Sequence, residues 1–294
     1  MRRESRQRRR ARTVAAQIGL GLLPFACLLC AIQPVARATP HVGGLTAAAA
    51  EISLRPPPGL RSRSLRLPWA GKLERGLKVH ESEYIRYVGE YAGHGRFFGT
   101  WELVQLLERA ARRVAFHLPG AKLSIGELSA ETGGPIDGHR SHESGRDVDV
   151  GFYLMRADGS PYYPYAFAEM DARGRGAPPN QYLRFDDARN WELVAKLLAD
   201  GDARVQYVFV ASPLRQRLLD EAERRHASPA VIERAKVALV QPVHGNPHRS
   251  HFHVRIYCAP ADRGSCEDRA PFWPWYPGTP PGGPGPGAPP VGEP

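Results

Sequence analysis

The feature that most constrains the fold is a two-residue alternation found in two distant stretches. One is His248-Arg249-Ser250-His251-Phe252-His253-Val254-Arg255; the other is Gly138-His139-Arg140-Ser141-His142-Glu143-Ser144-Gly145-Arg146-Asp147-Val148-Asp149-Val150. A strand sends successive side chains to opposite faces. His251, His253 and Arg255 therefore share one face, with Phe252 and Val254 on the other. Asp147 and Asp149 share a face, with Val148 and Val150 behind them. Two such strands need an apolar layer on one side and can present imidazole and carboxylate to a cleft on the other. Gly and Pro turns flank both stretches and place them at loop–strand junctions, where functional residues concentrate.

The remaining pattern supplies that layer. Thr100 reads as the cap of a helix to about His117, with Leu103, Leu106, Leu107, Ala110 and Val114 on one side. Leu123–Leu128, Asp147–Leu154, Val205–Val210 and His251–Cys258 read as strands. Trp191–Leu198, stopped by Gly201, Leu214–Arg225 and Val231–Val240 read as helices. Arg156–Asn180, rich in Pro, Gly and Tyr, reads as an insertion or long loop. This mixture without a regular β-α-β repeat predicts an α+β fold: an antiparallel sheet with helices packed to one side and the site at loop–strand junctions.

The ends read differently. Met1–Arg12 carries seven arginines and one glutamate, the apolar run Val14–Ile32 follows, and Ala36-Arg37-Ala38 has the small-x-small form of a cleavage site. That order predicts a secretory signal peptide over 1–38. The alternative is an N-terminal membrane anchor. Pro24 and the cleavage triplet favour removal, with no stable membrane insertion afterwards. Residues 39–75 read as a low-complexity linker, 76–268 as the domain, and 269–294 as an aromatic and then Pro/Gly-rich tail. The net charge of +10 loses +7 with the leader (eight arginines against one glutamate), leaving about +3. A basic, nucleic-acid-binding reading fails with it, so no nucleic-acid partner is expected. Of four cysteines, Cys27 and Cys30 lie in the leader, and Cys258 and Cys266 are expected to pair in an oxidising compartment, the periplasm.

The residue types on the polar face suit a catalytic zinc site, in which three His or carboxylate ligands leave a fourth position for water. The best ligand set is His142, Asp149 and His253, binding one Zn2+ per chain. The His142-x6-Asp149 spacing lets a loop histidine and a strand carboxylate meet one ion. No His-Glu-x-x-His helix motif is present: His142-Glu143 and His80-Glu81 are both followed by other residues. His251, two residues before His253 on the same face, is read either as a general base that passes a proton to the leaving amine or as a fourth ligand closing the site. His139 and His248 are read as cleft walls that hydrogen-bond the substrate, or as loop histidines without a role. Asp147 either orients a histidine or is a surface acid. Arg140, between His139 and Ser141, is the candidate grip for a substrate carboxylate. Arg255 is either a second grip or a salt-bridged strand residue.

His142-x6-Asp149 with His251-x-His253 resembles the zinc peptidases that group lysostaphin-type enzymes, D-Ala-D-Ala metallopeptidases and the hedgehog N-terminal domain. Within that group, Gly126-Glu127-Leu128-Ser129, Gly133-Gly134-Pro135, Gly138–His142, Gly145–Asp149 and His248–Arg255, followed by Cys258, resemble the penicillin-insensitive murein endopeptidases over roughly residues 80–266. The resemblance implies zinc on His142, Asp149 and His253, His251 as base, and His139 and His248 lining the site. It implies peptidoglycan as partner and cleavage of its cross-links, typically between D-alanine and meso-diaminopimelate. Arg156–Asn180 and Phe272-Trp273-Pro274-Trp275-Tyr276 lie outside the motifs that carry the resemblance. The competing expectations are a zinc D,D-carboxypeptidase or dipeptidase of the same group, and a non-catalytic, zinc-stabilised wall-binding module. An intact His251 favours an enzyme.

Overall fold

The structure, a computed structural model, describes Gly59 and residues 61–278. The leader and the last residues of the Pro/Gly-rich tail lie outside them. The chain enters through a hairpin, β1 (Arg63–Leu67) and β2 (Ala70–Glu74), paired from Arg63↔Glu74 to Leu67↔Ala70. The expectation of little structure over 39–75 is corrected for its described part, residues 61–75. Hydropathy misses the hairpin because the fully buried residue of β1 is polar: the Ser64 amide donates to Asp262 Oδ2 at 3.0 Å. Its other anchors are distant, Arg66 N donating to the Ser265 carbonyl and Glu267 N to the Arg66 carbonyl.

Next come β3 (Leu77–Lys78), which pairs with β5 (Phe98–Gly99), and β4 (Ile85–Tyr87). Helix α1 (Trp101–His117) starts where the sequence places it, with Thr100 Oγ1 accepting from Leu103 N, and buries Leu103, Leu106, Leu107, Ala110 and Val114. β6 (Leu123–Ile125) and β7 (Asp147–Gly151) are shorter than the apolar runs suggest. After Gly151 the chain turns into a small sheet of β8 (Leu154–Met155), β9 (Pro161–Tyr162) and β10 (Arg184–Phe185). Helix α2 (Asp187–Ala199) begins four residues before Trp191, because the Asp186 carboxylate caps it by accepting from Arg189 N. β11 (Val205–Phe209), α3 (Ser212–Arg224), α4 (Pro229–Ala238), β12 (Leu239–Val240) and β13 (His251–Ile256) complete the domain. The expected helix over 231–240 ends at Ala238, and its last two residues instead pair with β11.

The main sheet has the order β12-β11-β13-β7-β6-β4. Its four central strands are antiparallel neighbours, but both edge pairs, β12/β11 and β4/β6, are parallel, so the sheet is mixed. Val148, Val150, Phe252, Val254, Leu123 and Ile125 form one continuous core with the buried residues of α1 and α2. Burying such a side chain contributes about 1.5–3 kcal/mol, so register is strongly held. A smaller cluster of Tyr207, Phe209, Tyr257 and Trp273 lies apart from this core. The aromatic part of the expected tail is packed: Trp273 is buried, and its indole N–H donates to the Gln206 carbonyl. Among the described residues no helix is long and apolar enough to cross a membrane.

Candidate active site

The two alternating stretches are hydrogen-bonded neighbours. β13 pairs with β7 so that His253 faces Asp149, Arg255 faces Asp147 and His251 faces Gly151. The shared register puts imidazole and carboxylate on the face opposite the valines. Four imidazole nitrogens then surround one buried carboxylate. His253 Nδ1, His142 Nε2 and His251 Nε2 stand 3.5, 3.6 and 3.6 Å from Asp149 Oδ1, and His139 Nδ1 stands 3.6 Å from Oδ2. Ligand atoms of His139, His142 and Asp149 lie within 4.8 Å of one another.

The far side of each ring is held. His142 Nδ1 meets the Leu128 carbonyl at 3.0 Å, which leaves Nε2 facing Asp149. His253 Nε2 meets Asp147 Oδ1 at 2.9 Å, and the same oxygen accepts from Arg255 Nε at 2.6 Å. His139 Nε2 meets Glu127 Oε2 at 2.8 Å, and His251 Nδ1 meets Ser250 Oγ at 3.0 Å. His142 (φ 71°) and His248 (φ 53°) occupy the left-handed region, which costs a non-glycine residue about 1–3 kcal/mol. His248 is buried near His251 and His253, ring centroids 5.1 and 5.6 Å away. Arg140 is exposed on the loop between His139 and Ser141.

Electrostatics follows from this packing. Burial alone would raise the Asp149 carboxyl, but His251, His142 and His253 outweigh it and hold it well below the usual carboxylate range. Asp147 is likewise desolvated, yet Arg255 and His253 keep it lowered and ionised. Burial pushes His251 down against the opposing pull of Asp149, which favours a neutral ring. Burial pushes His248 down to about 3. For His142 burial is again the largest influence, but Asp149 and the Leu128 carbonyl win and raise it.

The donor set fits a cation. His142 Nε2 and Asp149 Oδ1 are buried with no hydrogen-bond partner among the described residues, and 3.6 Å is too long for a hydrogen bond between them. Buried polar atoms are normally satisfied, and imidazole with carboxylate suits a divalent ion of the zinc type.

Two participants escape a reading of the two stretches alone. Glu127 binds His139, His94 Nδ1 (2.8 Å) and Arg96 (3.3 Å); its place beside Gly126 in a glycine-flanked motif was the available signal. Phe167 comes from the Arg156–Asn180 segment and stacks on the His251 ring, centroids 4.7 Å apart and planes 17° apart. A Cβ on Gly126 would approach Phe167 Cζ to 2.6 Å, and one on Gly151 would approach Cε1 to 3.0 Å. The two glycines thus make the slot for the ring. Met170 N donates to the Arg249 carbonyl, tying the same segment to the histidine loop. Nothing in the composition of the segment announces this contact.

Arg255 is a salt-bridged strand residue facing Asp147, not an exposed grip. Cys258 and Cys266 are bridged. Beside them the buried Arg146 guanidinium joins Asp268 Oδ1 (2.6 Å) to the Glu267 and Arg66 carbonyls (2.9 and 3.3 Å), pinning the hairpin and the C-terminal segment to the end of the site strands.

The His/Asp face of this mixed sheet is a cluster that could hold a metal ion, and comparison with known proteins gives its family. Residues 85–278 match the family model described as penicillin-insensitive murein endopeptidase, and the chain belongs to that peptidase family. It is 29% identical over 181 residues to a penicillin-insensitive murein endopeptidase of Haemophilus influenzae, covering 60% of this chain and 57% of that protein. It is 30% identical over 180 residues to one of Klebsiella pneumoniae (60% and 59%) and 29% identical over 178 residues to one of Escherichia coli (59% and 58%). The chain thus spans a little under three-fifths of the length of these relatives.

Proposed function

We propose that this protein is a zinc-dependent murein endopeptidase that hydrolyses peptide cross-links of peptidoglycan, of the D-alanine to meso-diaminopimelate type, in the periplasm. The observation that carries the reading is the convergence of unpartnered buried His142 Nε2 and Asp149 Oδ1 with His253 Nδ1. His142, Asp149 and His253 would hold one zinc. His253 is preferred over His139 as third ligand because it lies on the central strand with 5% of its side chain exposed, against 17% for the loop residue. A bound zinc supplies Lewis acidity and makes water a nucleophile at neutral pH.

The chain's own groups supply the rest. His251, neutral, buried and steadied by Ser250 and Phe167, accepts a proton at Nε2 and returns it to the leaving amine. Asp147 fixes the orientation of His253. Glu127 does the same for His139, which with His248 offers hydrogen bonds to the substrate carbonyl or carboxylates. Arg140 on the exposed rim grips a stem-peptide carboxylate. No serine nucleophile is required, so a β-lactam has nothing to acylate.

The test incubates the full chain with purified sacculi and with cross-linked muropeptide dimers, with and without chelator. Conversion of dimers to monomers, abolished by chelator and restored by zinc, is expected. Release of terminal D-alanine from monomeric pentapeptides with dimers untouched would replace this reading with a carboxypeptidase.

A further inference from the structure

A concavity of about 1100 Å3 is bounded by α4, the edge strand β12 and the segment Trp273–Pro277. None of its lining residues belongs to the histidine cluster, yet it adjoins that cluster. Ser212 lines it, and the neighbouring Ala211 N donates to the His248 carbonyl at 3.0 Å. Val240 lines it and pairs in register with Phe209, whose ring centroid is 5.6 Å from that of His248.

We infer that this cavity binds the glycan strand of murein, at sugar rings with a carboxylate close by, and holds the polymer while its peptide is cut; the inference rests on murein being the substrate. Single-molecule sites commonly measure about 300–1,000 Å3, so this one has room for an oligosaccharide. Its aromatic wall is fixed in advance. Both indole N–H groups are spent on β11, Trp273 on the Gln206 carbonyl and Trp275 on the Val205 carbonyl, each at 2.7 Å. The wall therefore presents the partly exposed Trp275, 5.9 Å from the buried Trp273 and inclined to it by 28°, as its aromatic contact for a pyranose ring.

The charge complements an anion. Arg204, Arg215, Arg234 and Lys236 line the cavity against the single carboxylate of Glu233. Lys236 is paired with Glu233, and Arg234 lies over the Trp275 ring at 5.2 Å. The Arg204 guanidinium has no hydrogen bond or ion pair among the described residues and is the group best placed to take a carboxylate. In murein that carboxylate comes either from the lactyl group of a muramic acid without its stem or from the first acidic residue of the stem.

The test titrates the full chain calorimetrically with a tetrasaccharide of alternating N-acetylglucosamine and N-acetylmuramic acid, prepared stem-free and with L-alanyl-D-glutamate stems. Neither contains a cross-link, so binding is independent of whether the chain is an endopeptidase. At least one form is expected to bind saturably, and which one identifies the source of the carboxylate. Arg204→Glu and Trp275→Ala should each weaken it about tenfold or more, whereas His253→Ala should not. Binding of neither tetrasaccharide, wild-type binding by Arg204→Glu, or equal affinity for neutral chitotetraose would overturn the proposal.

Discussion

Asp147 is the residue through which stability and metal affinity can be separated. It is fully buried, and one oxygen receives both His253 Nε2 (2.9 Å) and Arg255 Nε (2.6 Å). Asp147→Asn keeps the shape and removes the charge. Arg255, itself 3% exposed, then stays buried without its counter-ion. Losing one partner of a buried pair costs about 3–5 kcal/mol, and at about 2–4 °C per kcal/mol for a domain of this size Tm should fall by about 6–20 °C. The amide oxygen still accepts from His253, so zinc affinity should drop only about tenfold, the low end for such a supporting residue.

A double variant separates the two effects. Arg255→Met removes the orphaned charge, together with an Nη2 that has no hydrogen-bond partner among the described residues. Asp147→Asn/Arg255→Met should therefore recover most of the lost Tm and none of the metal affinity. Tm is read by calorimetry in excess chelator, and affinity by competition against a chromogenic chelator. Because Asp147 is held below its ordinary value, by Arg255 and His253 against desolvation, its contribution is fully present above the carboxylate range. The deficit of Asp147→Asn should persist as pH falls to that range and narrow only below it. A double variant no more stable than Asp147→Asn would refute the orphan-charge account. Unchanged zinc affinity in the single variant would refute the orienting role.

The remaining predictions follow from the same geometry. His251→Ala should keep zinc and lose about two to four orders of magnitude in turnover, by atomic absorption and dimer hydrolysis; loss of zinc would make His251 a ligand. His253→Ala should lose zinc, and His139→Ala should retain it; the reverse would exchange their roles. Phe167→Ala should lower kcat with zinc content and KM unchanged, because it frees the His251 ring without touching the ligands. Cys258→Ser/Cys266→Ser should cost about 2–3 kcal/mol in denaturant unfolding, the chain-entropy value for so short a loop.

The legible part of the fold is the part where one period decides the answer. Thr100 and the spacing of Leu103, Leu107 and Val114 fix α1 locally, so its start is correct to the residue. The alternation in Asp147–Val150 and His251–Val254 likewise fixes which side chains share a face, and pairing β7 with β13 only has to join faces already sorted. Parallel edge pairing is a different kind of fact. Leu239-Val240 continues the apolar pattern of α4, and only the neighbouring β11 makes those two residues a strand.

The participants that escaped the sequence share a physical cause: each acts through a partner remote in the chain and through chemistry that hydropathy does not register. Ser64 is buried because Asp262 accepts from its amide, 198 residues away. Phe167 sits in a segment whose composition resembles a loop, and its position is dictated by Gly126 and Gly151, where the missing Cβ atoms leave room for its ring. The glycines flank the Glu127 motif and end β7, so the backbone that supplies Glu127 and Asp149 also shapes the slot under His251. The site is thus one construction. Strands β7 and β13, the His251 ring and the segment between β7 and α2 constrain one another. A substitution such as Gly151→Ala, whose Cβ would lie within 3.1 Å of both Phe167 and Ser124, should therefore disturb turnover through His251 while leaving His142, Asp149 and His253 in place.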